Sequence, residues 1–209
     1  MPPAGSRRDL PMFDAAVPPP ERADAARNRG RVLAAAQELF AARGVAAVTM
    51  DDIARQAGVG KGTLYRRFGD KGGLAVALLD AREQELQTQL LSGPPPLGPG
   101  ASPRARLAAF VQSYIMLAAE QLDLLLMSET SGPGARHLTG AHRFWRAHCA
   151  HLMREAGARS PDLLAEVLLA ALSAEQVAHW LHTEGRSATS VADGLAEVAL
   201  TLAQPDGAG

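Results

Sequence analysis

The side chains in this sequence best suited to hold an anion stand together: Lys61, Gly62, Thr63, Tyr65, Arg66, Arg67 and, a little further on, Lys71. An ammonium is a compact charge for a phosphate oxygen, a guanidinium is a planar fork that spans two acceptors, and the two hydroxyls donate singly. A glycine among them lets a ligand approach the backbone. Such a set can neutralise phosphates and hydrogen-bond base edges. It cannot break a bond, and no catalytic motif accompanies it: there is no nucleophile elbow, no GxxxxGK[ST] and no His-Glu-x-x-His. GVGKGT at 58–63 has a phosphate-loop look, yet it lacks both the four-residue gap before Gly-Lys and a preceding buried strand.

These residues need a helix to aim them. Thr49 stands three places before Asp52, the spacing of a reciprocal N-terminal cap, so a short helix is predicted from Met50. The stretch Ala57-Gly58-Val59-Gly60 supplies a glycine whose positive φ ends it. A second helix is predicted over 60–68. On its wheel Leu64 and Phe68 share one side, while Gly62, Thr63 and Arg66 take the other, flanked by Tyr65 and Arg67. Arg66 is placed for base edges or phosphate, and Tyr65 and Arg67 for groove walls. Asp70 caps the next helix, whose first residue, Lys71, is a cation at the wrong end of the helix dipole unless it meets an anion. This is a helix-turn-helix pattern.

The run RGRVLAAAQELFAARGVAAVTMDDIARQAGVGKGTLYRRFGDKGGL, residues 29–74, closely resembles the DNA-binding signature of the tetracycline-repressor (TetR) family of bacterial transcription regulators. The resemblance implies that Thr49, Lys61, Gly62, Thr63, Tyr65, Arg67 and Lys71 lie at an operator. Two positions depart from the pattern: Gly60 where serine is common, and Arg67 where histidine is common. The first removes a side-chain phosphate contact but not the cap, since glycine also N-caps. The resemblance further implies a homodimer joined by its last two helices, a palindromic DNA operator as partner, and release of a repressor by a small-molecule effector.

Composition points the same way. Of 209 residues 47% are hydrophobic and 21% charged, enough for one large or two small cores. The apolar residues are mostly Ala and Leu, aromatics make up 4%, and strand-like runs are missing, so the expected class is all-α. No apolar run reaches bilayer length and no signal-peptide pattern opens the chain, so a cytoplasmic protein with no membrane partner is expected. The net charge of −1 hides a division: residues 27–74 carry nine Lys or Arg against four acids, and residues 75–209 nine against fourteen. A basic module on an acidic body suits a DNA reader with a second domain.

The expected organisation is a disordered tail over 1–24, a DNA-binding domain over 25–70 and an effector-binding and dimerisation domain over 71–209. The Pro-rich start argues for the tail, with Arg7 and Arg8 as a less favoured minor-groove arm. Further helices are predicted over 25–43, 71–91, about 103–127, 135–156, 161–183 and from Ser187 or Ser190 to 203, with the Pro- and Gly-rich stretch 92–103 as a loop. Phe110, Tyr114, Met127, Trp145 and His148 are the candidate effector-binding residues, apolar bulk with a few polar tips; the same residues would serve an ordinary core. Leu164, Val167, Leu168 and Ala171, with Val191, Leu195, Val198 and Leu202, are candidates for the dimer interface, the last four forming a narrow seam.

Three constellations have plainer readings. His148 with His151, and His179 with His182, are spaced for a helix-borne metal pair, but no carboxylate spacing completes a site, so no metal and no cofactor are expected. Cys149 is the one cysteine, which excludes an intrachain disulfide, and a buried apolar role outweighs redox sensing. The reading that follows is a ligand-responsive DNA-binding regulator and not an enzyme. The alternatives are a ligand-insensitive or architectural DNA-binding protein and, behind it, a helical enzyme.

Overall fold

Helix α1 runs Pro20–Arg43 in the computed structural model, which describes residues 20–204. It begins earlier than the sequence pattern suggests: residues 20–24, expected in the tail, belong to the helix. Pro20 takes its first position, where a missing N–H costs no helical bond. The rest of the expected tail, Arg7 and Arg8 included, lies outside the described residues. Gly44, at φ +76°, ends α1.

Two short helices follow, α2 (Met50–Ala57) and α3 (Lys61–Phe68). The capping box forms as predicted: the Asp52 amide donates to Thr49 Oγ1 at 3.1 Å and the Thr49 amide to Asp52 Oδ2 at 3.1 Å. Gly58 takes φ +62°, and a Cβ there would lie 2.7 Å from Nη2 of Arg31. That guanidinium donates to the carbonyls of Ala57 and Gly58, which clamps α1 onto the turn. Val32, Ala36, Phe40, Ile53, Ala57 and Leu64 close a core beneath the three helices, which together form the head of the molecule.

Helix α4 (Lys71–Ser92) ties the head to the body. Its first turns send Leu74 and Leu78 into the head core, and its later ones send Leu79, Leu86 and Leu90 into the body core. Asp70 caps it, accepting from the Gly73 amide at 2.8 Å. The body comprises α5 (Pro103–Glu120), α6 (Leu122–Glu129), α7 (Ala135–Leu138), α8 (Gly140–Glu155), α9 (Pro161–Ala171), α10 (Ala174–Ala178, continued by a π-helical turn His179–Thr183) and α11 (Ala188–Leu202). Among the described residues there is no strand, as the all-α expectation has it.

Three predicted helices are broken in the structure. The one expected to run from 103 to 127 turns by 94° at Gln121, between α5 and α6. The one expected from 135 to 156 is interrupted at Thr139, whose hydroxyl accepts from the His142 amide at 3.1 Å and so restarts the helix as α8. The one expected from 161 to 183 stops at Leu172, and Ser173 caps α10 through the Gln176 amide. Proline marks none of these breaks and glycine adjoins one, Gly140 after Thr139; serine and threonine do the capping at two of them.

The apolar seam of α11 does not point where expected. Val191 and Leu195 are buried in the protomer's own core, where α11 packs along α5. Arg104 donates to the Leu200 carbonyl and Gln112 to Asp193, both at 3.0 Å, and so fix that pairing. Leu168 is likewise internal, and Leu164, Ala171 and Leu202 are half-buried. Of the eight candidate interface residues only Val167 and Val198 stand exposed, at 51% and 46%. Helix α9 is held to α8 by Arg146–Glu166 at 2.8 Å and Arg154–Asp162 at 3.1 Å.

Candidate nucleic-acid interface and effector cavity

Helix α3 is amphipathic in the way its wheel predicts. Leu64 is buried and Phe68 half-buried against the head core, whereas Lys61, Gly62, Thr63, Tyr65, Arg66 and Arg67 are all exposed. Tyr65 is 47% exposed, a large ring held in solvent. Arg66 and Arg67 make no hydrogen bond or ion pair with any described residue, so their donors are free for an incoming acceptor. Gly60 is the N-cap of α3 and supplies no side-chain cap, leaving the first amides of the helix unsatisfied by side chains. A helix start with open amides beside Lys61 is an anion-binding arrangement, and Arg66 and Arg67 add two cations in the last turn of the same helix.

The flanking residues are partly committed. Lys61 is paired with Asp51, but both side chains are exposed and such a pair exchanges readily for phosphate. Thr49 Oγ1 donates to Asp52 Oδ2 at 2.8 Å while accepting from the Asp52 amide. Its proton is therefore spent on the cap, and a phosphate oxygen, which only accepts, must compete for it. The bonds donated by the Thr49 hydroxyl and the Thr49 amide also hold the Asp52 carboxyl below its usual range, with Arg43 and Arg55 adding to the effect. Lys71 is half-buried, with Nζ 3.4 Å from the Ala46 carbonyl, and burial lowers its pKa. A lysine at a helix start that is partly desolvated and weakly partnered is stabilised by an approaching anion.

A second feature lies in the body. Beneath α4, α5, α6 and α8 is a small cavity of about 20 Å³, lined by Leu79, Tyr114 and Trp145 together with Glu83, Glu129 and Arg136. Glu129 Oε1 lies 3.5 Å from Arg136 Nε, and its other oxygen accepts from the Ala174 amide at 2.9 Å. Glu83 has neither hydrogen bond nor ion pair with any described residue. Burial, with Asp80 and Glu129 nearby, pushes its carboxyl up to about 7. Burial, then Arg136 and His137, pushes His142 at the same cavity down to about 4. Tyr114 is 5% exposed, its hydroxyl has no hydrogen-bond partner among the described residues, and burial raises its pKa.

The expected effector residues divide. Tyr114 and Trp145 do line the cavity, with ring centroids 6.2 Å apart. Phe110 sits behind them as fully buried core, 5.6 Å from Trp145. His148 is buried in the same aromatic cluster, stacked on Phe144, with Nε2 unpartnered, and burial lowers its pKa to about 4. Met127 is not with them: it packs against the head core from α6. The spacing of aromatic and methionine residues carried no information on which side of α6 faced the body.

The acids escape a sequence reading that follows apolar bulk. In α4 Glu83 occupies a stripe position between Leu79 and Leu86, and in α6 Glu129 follows Leu122 and Leu125 at the same spacing. A carboxylate where the period calls for leucine was the available signal. The histidine pairs do not converge on a metal: among the described residues no group of three His, Cys, Asp or Glu side chains could hold one. Cys149 is fully buried and burial raises its thiol pKa, which disfavours the reactive thiolate. Among the described residues no single helix is long and apolar enough to cross a membrane.

Comparison with known proteins bears on the head first. The family model described as bacterial regulatory proteins, tetR family, matches residues 32–78. Over 105 residues, 50% of the chain, the sequence is 34% identical to two proteins of Pseudomonas putida, the HTH-type transcriptional regulator SrpR and the uncharacterised HTH-type transcriptional regulator TtgW. That stretch spans 48% of SrpR and 76% of TtgW. The likeness of fold extends further. Thermus thermophilus FadR, a TetR-family transcriptional repressor solved in complex with lauroyl-CoA, aligns over 83% of this chain and 94% of its own, with a TM-score of 0.62 at 21% identity.

Proposed function

This chain belongs to the TetR family of bacterial transcription regulators, and from that premise we propose that it is a dimeric repressor released from a palindromic operator by a small molecule. One observation carries the DNA-reading half of the proposal: α3 buries Leu64 while Gly62, Thr63, Tyr65, Arg66 and Arg67 all face solvent, the two arginines without a described partner. A short helix offering that set fits a major groove.

Helix α6 supports the ligand-responsive half. Leu125, Ser128 and Glu129 face the cavity, and Leu124 and Met127 pack on the head core. A ligand that moves α6 therefore presses on both domains at once. Gly72 adds a second contact: a Cβ there would lie 2.3 Å from Ser131 Cβ, so the start of α4, just after α3, rests against the loop that follows α6. Such close-packed joints pass displacement on as rigid bodies. For the dimer, Leu163, Val167 and Val198 are exposed apolar residues on α9 and α11, the two elements the family likeness assigns to pairing.

The test begins with selection of bound fragments from the source genome and proceeds to fluorescence anisotropy on a labelled operator. Arg66→Ala is expected to weaken binding about 10- to 100-fold and to relax preference at one base position. Unchanged affinity removes Arg66 from the interface, and a loss equal across all sequences moves it from base to phosphate.

A further inference from the structure

The cavity in the body is not neutral, and its charge says what it can hold. Besides Tyr114, four ionisable groups border it from four helices: Glu83 from α4, Glu129 from α6, Arg136 from α7 and His142 from α8. Arg136 answers Glu129, and the Ala174 amide answers it again. Glu83 is left without a partner among the described residues. Tyr114 and Trp145 line the same space, and Tyr114, a buried residue, has a hydroxyl that also lacks a hydrogen-bond partner among the described residues. An unanswered carboxyl, an unanswered hydroxyl and two aromatic rings line one space.

We propose that this cavity binds an amphipathic organic cation, its positive group held by Glu83 against the Tyr114 and Trp145 rings and its apolar part displacing the Leu79 side of the core. The proposal rests on the reading of the chain as a ligand-responsive regulator and names the class of its ligand. A positive group satisfies the half-buried acid and gains from the neighbouring aromatic rings, which an anion cannot do. An acyl-CoA would bring several negative charges to a site already holding two carboxylates against one guanidinium, and its chain has no preformed channel here. At about 20 Å³ the cavity admits no more than a water-sized group, so the cation enters only as the wall opens. Part of that wall is α6, whose opposite side rests on the head. Opening the cavity and shifting the head are then one movement.

The probes are an isosteric pair, phenyltrimethylammonium and tert-butylbenzene, which share a shape and differ in charge, with lauroyl-CoA as a third. Trp145 and Trp180 are the two tryptophans of the chain, so Trp180→Phe leaves Trp145 as sole reporter and binding is read from its fluorescence. The cation is expected to bind at least tenfold more tightly than the neutral isostere, and Glu83→Gln to abolish that preference. Glu85→Gln, at an exposed acid on the same helix, is expected to keep it. A quaternary ammonium does not titrate, so its affinity should rise about tenfold from pH 6 to pH 8 as Glu83 ionises. The groups facing Glu83 in that window are Asp80 on its own helix, Tyr114 from α5, Glu129 from α6, Arg136 from α7 and His142 from α8. Equal binding of the two isosteres overturns the proposal, as does a preference that survives Glu83→Gln, or binding of lauroyl-CoA alone. Operator release is measured separately by anisotropy. A cation that binds as expected without releasing DNA upholds the ligand class and refutes the regulatory reading.

Discussion

Gly62 isolates the DNA-reading argument from the folding argument. It lies in the first turn of α3, in open space: a Cβ built there meets nothing within 4 Å. Its φ is not in the positive range that demands glycine. The fold therefore has no use for glycine at this position, and Gly62→Ala should stabilise the protein by about 0.5–1 kcal/mol, the usual difference in helix propensity. The added methyl projects from the face that carries Thr63 and Arg66. If that face lies against DNA, the helix must withdraw by about a methyl radius, and the bonds from Thr63 and Arg66 lengthen together. A loss of roughly 1–3 kcal/mol, about 10- to 100-fold in operator affinity, is expected. Urea unfolding measures the first effect and anisotropy on the operator the second. Opposite signs in the two assays are the expected result. A more stable protein with unchanged affinity would place Gly62 away from DNA, and a less stable one would contradict the open space seen around it.

Other expectations concern the body. Glu83, raised to about 7 from 4.5, binds protons more tightly folded than unfolded, so its contribution to stability is lost as pH rises from about 4.5 to 7. Discounted for its remaining solvent contact, that is on the order of 2 kcal/mol, and Glu83→Gln should recover it in urea melts at pH 8 and only a fraction of it at pH 5. His142 runs the other way: its pKa near 4 lies below the ordinary 6.5, so stability falls as pH drops between the two, and His142→Phe should flatten that limb of the pH profile. Gly72→Ala must push Ser131 aside and should cost about 1–3 kcal/mol while altering operator affinity, since the same joint touches the start of α4; a silent mutation would remove the joint from the coupling. Val167→Glu with Val198→Glu should yield monomers in sedimentation without unfolding, because both are exposed in the protomer, whereas a charge at Leu195 would damage the core itself. A double mutant that still sediments as a dimer moves the interface elsewhere.

What could be read from the sequence was whatever depends on neighbours along the chain. The Thr49–Asp52 cap, the positive φ of Gly58, the start of α5 at Pro103 and the leucine stripe of α4 each need only a few consecutive residues and a helical period. The exposed face of α3 follows from the same arithmetic, because one apolar side implies a polar one. Where an apolar stripe goes is a different kind of fact. Val191 and Leu195 would suit a partner's helix as well as α5, and Met127 would suit the cavity of the body as well as the head; periodicity says that a side is buried, not against what. The breaks at Gln121, Thr139 and Leu172 belong here too, since a weak local signal yields to packing when the body must close. Glu83, Glu129 and Arg136 meet only because α4, α6 and α7 pack together, and the desolvation that raises Glu83 exists only once that space is closed. Burial is a property of the folded whole, so the charge of the cavity could be seen only in three dimensions.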